Sequence, residues 1–170
     1  MNDYGKCARN GCLEFGDDFS SATDVLKLFG VKYRSGMDLS AVPVPNSPKT
    51  LICFYKDDGP GKWHHLRMGN GKLDKRGWEG VRSINEFHDD DDLSVQRYEE
   101  ELACPQTRYV FYRIEYRGCR FWKFMGVFRL DVETSETLNN PPPAFMDWYD
   151  GCRCYYGLVS EVAQLGTSCQ

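Results

Sequence analysis

The chain has 170 residues, 41% of them hydrophobic and 14% aromatic, and a formal net charge of −4. This length suits one domain with a substantial core, and the apolar content excludes disorder over most of it. The acidic balance excludes simple electrostatic adhesion to a polyanion, and no apolar run reaches the ~20 residues of a membrane-spanning helix.

Residues 1–19 are polar and predict an irregular arm. Their start, MNDYGKCARNGC, has no signal-peptide core, so a cytoplasmic protein with no membrane partner is expected. In that compartment most of the eight cysteines should be thiols. Ser21-Ala-Thr-Asp24 fits a capping box with Asp in place of Glu, ahead of a short helix that Gly30 stops. Val42 to Pro48 reads as a proline-rich connector. Thr50–Tyr55 is a compact apolar strand, followed by a turn cluster at Lys56–Gly61. Residues 62–88 predict one short strand and a long structured loop. Asp92 is placed to cap a helix from Leu93 to about Ala103, with Val95, Tyr98 and Leu102 facing the core.

Residues 108–131 carry the strongest pattern. They read as two strands joined at Arg117-Gly118-Cys119-Arg120. Val110, Tyr112, Ile114 and Tyr116 alternate onto one face of the first strand. Trp122, Phe124, Phe128 and Leu130 are expected to share a face of the second. Opposite them come Arg113, Arg117, Lys123 and Arg129, with Tyr109 and Phe121 interspersed, a cationic surface suited to a polyanion. Asn139–Pro143 is a stiff connector, and residues 155–165 predict a last short helix. The whole reads as one domain, residues 1–170, with a core over 20–138 and a C-terminal extension, 139–170, packed on it. Its class is α+β, a curved and mostly antiparallel sheet with two or three flanking helices.

Charge is unevenly spread. Residues 62–82 hold six Lys/Arg against two acids, and 108–130 hold six against Glu115. Residues 86–101 hold eight acids against Arg97. Two basic segments thus flank one acidic block.

Four stretches occur in order: Phe29-Gly-Val-Lys-Tyr-Arg-Ser-Gly-Met37, Thr50–Tyr55, His65-Leu-Arg-Met-Gly-Asn-Gly71 continuing to Asn85, and the Tyr109–Leu130 hairpin with Phe124-Met-Gly-Val-Phe128. This layout resembles SRA (YDG)-like domains, particularly those joined to bacterial restriction endonucleases. The resemblance implies a PUA-like curved barrel that reads a modified base in DNA, often after flipping it. Two departures stand out. Leu66-Arg67-Met68 replaces the family's Tyr-x-Gly, and Lys72-Leu-Asp-Lys-Arg76 replaces its Gly-Asp-Gln.

A flipped base needs aromatic walls and polar groups for its edge. Tyr33, Tyr55, Trp63 and Trp78 are candidate walls, and Arg34, Arg67, Asp74 and Asn85 candidate polar contacts. Lys72, Lys75, Arg76, Arg82, Arg113, Arg117 and Lys123 are candidates for phosphate. Each also has an ordinary reading as core or solvated surface. Cys7, Cys12, Cys152 and Cys154 form an alternative constellation, a four-thiolate structural zinc site, against the simpler reading as free thiols. His88-Asp-Asp-Asp-Asp92 suits a helix N-terminus better than a metal loop. No nucleophile elbow, P-loop or dinucleotide fingerprint is present. A minimal nuclease set of Asp57 or Asp58, Glu115 and Lys123 rests on common residue types. The expectation is therefore a binding domain for nucleic acid or a nucleotide-like anion, without cofactor or catalysis. The alternative is a small acidic inhibitor that contacts a protein partner through residues 86–101.

Overall fold

The computed structural model describes residues 11–57, 62–69, 71–74 and 77–165. Its strands are β1 (Cys12–Glu14), β2 (Asp18–Phe19), β3 (Val42–Val44), β4 (Ser47–Tyr55), β5 (Trp63–Met68), β6 (Ser83–His88), β7 (Thr107–Tyr116), β8 (Cys119–Leu130), β9 (Cys154–Ser160) and β10 (Val162–Gln164). The helices are α1 (Ala22–Leu28), α2 (Asp91–Ala103) and α3 (Val132–Asn139), with a 3-10 helix at Pro143–Trp148. None of the described helices is long and apolar enough to cross a membrane.

The class is α+β, but the sheet is open and mixed rather than a closed barrel. Its order is β3-β4-β7-β8-β9-β6-β5, with β2 added along β8. All these pairings are antiparallel except β4 with β7, which runs parallel from Thr50↔Thr107 to Tyr55↔Tyr112. A parallel pair needs a long crossover, and β5, β6 and α2 supply it. The expected connector at 42–48 is instead β3 and the start of β4. The expected loop of 62–88 holds two strands, β5 and β6.

The central strands are covered on both faces. In β4, Leu51, Cys53 and Tyr55 enter one core with Val110, Tyr112 and Ile114 of β7. Ile52, Phe54 and Phe111 enter the other. α1 packs on that second face through Val25 and Leu26. The helix is capped as its sequence predicts, with the Asp24 N–H donating to Ser21 Oγ over 3.2 Å. The β7–β8 turn falls at Arg117 and Gly118, both with positive φ, as a two-residue hairpin requires.

β8 departs from simple alternation. Phe124 faces the second core, whereas Phe128 and Leu130 face the first. The register with β7 slips, so that Val110 pairs with Gly126 but Phe111 with Phe124. Such a bulge inserts one residue and switches the face of all that follow. Gly126 sits at φ 125°, and a Cβ there would lie 2.5 Å from Leu158 Cδ1 and 2.7 Å from Ser160 O. Trp122 and Phe124 therefore do not share a face with Phe128 and Leu130. Lys123 and Phe121 also move from the expected cationic surface onto the first core's face, opposite Tyr112 and Ile114.

Residues 155–165 are strands, not a helix. β9 lies between β6 and β8, with Tyr156 fully buried. Tyr and Val favour a pleated surface, and Gly157 disfavours a helix interior. α2 begins two residues before the expected start, capped by Asp90. Tyr98 packs inward as expected, but Val95 and Leu102 face solvent, while Ser94 and Glu101 are buried. α3 has no apolar stripe and was not anticipated. Asp131 caps it, accepting the Thr134 N–H at 3.0 Å.

The bulge account predicts that Gly126→Ala costs more than about 2 kcal/mol of stability, because strain and overlap coincide. Urea unfolding measures this, and an unchanged midpoint would contradict the geometry.

Candidate nucleic-acid interface

The sheet curls until its far strands meet. Tyr55 of β4 stacks on His65 of β5, with centroids 3.7 Å apart and planes at 10°. Tyr112 Oη donates to the His65 carbonyl at 3.0 Å, and Arg67 pairs with Asp57 at 2.7 Å. The first core thus lies inside a trough with two different ends.

At one end α2 seals a buried ionic network. Arg108, 1% exposed, donates to Glu101 Oε1 at 2.5 Å and to Tyr55 Oη at 3.0 Å, and lies 3.6 Å from Glu86. Its guanidinium also covers the Tyr156 ring at 4.3 Å. Glu86 further receives Arg97, the Tyr156 hydroxyl and His65 Nε2 at 3.1, 3.0 and 2.8 Å. Burial would raise the Glu86 carboxyl, but Arg108, the His65 hydrogen bond and Arg97 outweigh it and hold it far below 4.5. Burial pushes the neighbouring Cys154 thiol up to about 12. A cleft of about 330 Å³, lined by Arg97, Glu101, Cys104, Gln106 and Arg108, opens beside this network.

The other end is aromatic and less enclosed. Tyr116, 37% exposed, meets Trp78 edge-on at 6.1 Å. Phe121 lies beside them on the same face and packs on the first core. The Arg67 guanidinium stands 5.5 Å over the Tyr112 ring. Beneath, Lys123 is fully buried and pairs with Asp74, with Asp18 at 3.3 Å. Asp74 also accepts the Trp78 N–H at 2.9 Å. Trp78 Nε1 is buried with no hydrogen-bond partner among the described residues. This aromatic cup gathers partly exposed rings, a buried donor without a partner among the described residues and charged side chains.

Of the residues singled out from sequence, the structure gathers Arg67, Asp74, Trp78 and Lys123 here. Tyr55 is core and shielded by His65. Trp63 sits at the ionic end, under Arg97 at 4.5 Å. Tyr33 and Arg34 are exposed, in the segment after α1. Asn85 points to the opposite side of β6 from Ile84 and Glu86, where its amide contacts Met68 Sδ. Lys72, Arg82, Arg113 and Arg117 are exposed, Lys72 standing 3.6 Å from Glu161. Lys123 is not a surface phosphate ligand, because its ammonium is enclosed by carboxylates. Lys75 and Arg76 lie outside the described residues. Tyr112, Tyr116 and Phe121 escaped notice as walls; their period-2 spacing and the hairpin register were the available signal.

Among the described residues no group of three or more His, Cys, Asp or Glu is placed to hold a metal ion. Cys12 is disulfide-bonded, Cys152 and Cys154 are buried free thiols, and Cys7 lies outside the described residues. Asp89 pairs with His64 at 2.6 Å, Asp90 caps α2 and Asp91 accepts the Cys152 N–H at 2.7 Å. The nuclease set disperses as well, since Asp57 pairs with Arg67 and Glu115 with Arg120, while Lys123 takes Asp74 and Asp18; Asp58 lies outside the described residues.

The fold places the protein among α+β domains built on a curled mixed sheet. It is similar to the 5-hydroxymethylcytosine-specific restriction enzyme AbaSI, with a TM-score of 0.62 and 19% sequence identity. The likeness covers 92% of this chain and 43% of that one, so the chain spans less than half of the enzyme's length. No protein-family model and no curated protein sequence matches the chain.

Glu86 yields a signed prediction. Its folded pKa is depressed, so its contribution is complete above about pH 4.5 and is lost as pH falls toward the folded value. Glu86→Gln should cost about 3–5 kcal/mol at pH 7 by leaving Arg108 short of a partner. The gap to the parent should narrow below pH 4.5 in thermal scans. A gap constant from neutral pH into acid would contradict the assignment.

Proposed function

We propose that the protein is a DNA-binding domain that reads a modified base in the aromatic cup between the β7–β8 hairpin and residues 71–80. The observation that carries this reading is the fold it shares with a restriction enzyme specific for 5-hydroxymethylcytosine. The cup supports it chemically. Trp78, Tyr116 and Phe121 offer stacking surfaces, and Trp78 Nε1 offers a donor to a base edge. Asp74, buried and engaged by Lys123 and the Trp78 N–H, supports Trp78 and does not itself make the expected edge contact. Asn85 faces elsewhere, so the edge contact passes to Trp78.

Phosphate contacts come from exposed cations, Arg117 at the hairpin turn and Lys72 and Arg82 near the loop, whereas Arg113 lies over Trp122 on the opposite face of the sheet. Lys75 and Arg76 join them by sequence position. Acids elsewhere keep the net charge at −4, which limits binding to DNA laid along this face.

A second reading rests on α2. Its outer side exposes Leu93, Val95 and Leu102 beside Asp89–Asp92, Glu99 and Glu100. An apolar strip among acids suits a protein partner, as in an inhibitor, better than DNA.

Fluorescence anisotropy with duplexes carrying one cytosine, 5-methylcytosine or 5-hydroxymethylcytosine tests the proposal at two salt concentrations. A preference for one modified duplex is expected, and Trp78→Ala or Tyr116→Ala should cost about 1–3 kcal/mol of it. Arg117→Ala with Arg82→Ala should weaken all duplexes alike and flatten the salt slope by about one unit per contact. Absence of binding to every duplex would end the DNA reading and leave the α2 surface as the better account.

A further inference from the structure

Lys123 occupies the middle of β8 with no exposed surface. Its ammonium reaches two separate segments, Asp18 on β2 and Asp74 in the loop that carries Trp78. A buried ion pair is a poor source of stability, because desolvating both charges offsets their attraction. A well-packed apolar side chain would serve a core at least as well. What the pair supplies is direction, since an ammonium and a carboxylate must meet at hydrogen-bond distance.

We propose that Lys123 is a positioning residue for base recognition: through Asp74 it sets the height and angle of Trp78 over the cup. The inference rests on the reading of the cup as the base site. Lys123 itself does not touch the base.

The path is short and continuous. Lys123 holds Asp74, whose Oδ1 accepts the Trp78 N–H at 2.9 Å, and the Asp74 N–H donates to the Trp78 carbonyl at 2.9 Å. Trp78 then meets Tyr116 on the hairpin that also carries Lys123. The N-terminal segment closes the arrangement from the other side. Gly16, at φ 93°, leaves 3.1 Å between an added Cβ and Asp74 Cβ, so a side chain there would push the loop away. The loop's own ends are joined by the Leu73–Glu79 bridge and the Gly71–Gly80 and Gly80–Lys72 backbone bonds, while Lys72 reaches Glu161 and the Trp78 ring packs on the first core. Lys123 adds the buried ionic tie from this short ribbon to the centre of the sheet.

Two variants test the assignment, Lys123→Met and the double variant Lys123→Met/Asp74→Asn, which avoids stranding the Asp74 charge. Amide exchange is read at Asp74, Trp78 and Gly80, with Val110 and Tyr112 of β7 as controls. Binding is read on the cytosine, 5-methylcytosine and 5-hydroxymethylcytosine duplexes. The expected result is loop exchange faster by about tenfold or more with the β7 amides still protected. Preference among duplexes should fall toward unity while affinity for unmodified DNA changes less than about threefold. Loop amides that stay protected, or a preference that survives in both variants, would overturn the assignment. Loss of β7 protection in both variants would overturn it too, by making Lys123 a stability residue. If the parent shows no preference, the base-reading proposal fails on its own, and the exchange data still decide whether Lys123 holds the loop.

Discussion

The contact on which this structure turns is the one that Arg108 makes across the trough. It joins β7 to Glu86 of β6 and to Glu101 of α2, elements far apart in the sheet order or outside it. Three charged residues, each almost fully buried, are costly unless they are mutually satisfied. Tyr55, Tyr156, His65 and Arg97 complete that satisfaction. The Arg108–Glu86 contact commits the sheet to its curl, because a flat arrangement would keep β7 and β6 apart with β8 and β9 between them. The curl brings β5 over β7, and that approach puts Arg67 above Tyr112. The aromatic cup at the far end is therefore a consequence of the closure made at the ionic end.

The two ends of the trough differ in how far they are enclosed. At the ionic end charge is enclosed and α2 covers it. At the hairpin end Tyr116 and Arg117 remain accessible, and the loop that carries Trp78 is tied to β8 by the buried pair of Lys123 and Asp74. Sites on such a trough can vary in loop and rim without disturbing the closure, which is how one fold serves several ligands.

Much of the sheet was legible in the sequence. The alternation in 108–116, the apolar run at 50–55 and the Ser21 cap each report a local physical preference, and each forms as read. The failures share a cause as well. Gly126 looks like any glycine until the register shows that a side chain there would strike β9. Residues 155–165 carry apolar groups that suit either period, and only their place between β6 and β8 decides for a strand. On α2 Tyr98 turns inward as its spacing suggests, but Val95 and Leu102 do not, because Arg108 draws Glu101 in instead. Arg108 and Glu86 lie far enough apart in sequence that no spacing rule links them. The cup was half legible: Trp78, Asp74 and Arg67 were singled out, but Tyr116 and Phe121 needed the hairpin register. The resemblance to domains joined to restriction endonucleases agrees with the likeness to a restriction enzyme, while the open sheet differs from the closed barrel that the resemblance implies.

The central claim is that a base sits between the hairpin and residues 71–80. Photocrosslinking tests it most directly, using a duplex with a single 5-iodocytosine at the position to be read and mapping the crosslinked peptide. The account predicts attachment at Trp78, Tyr116 or Phe121, abolished by excess unlabelled duplex carrying 5-hydroxymethylcytosine. Attachment on α2, or on the side of β6 where Asn85 lies, would contradict it.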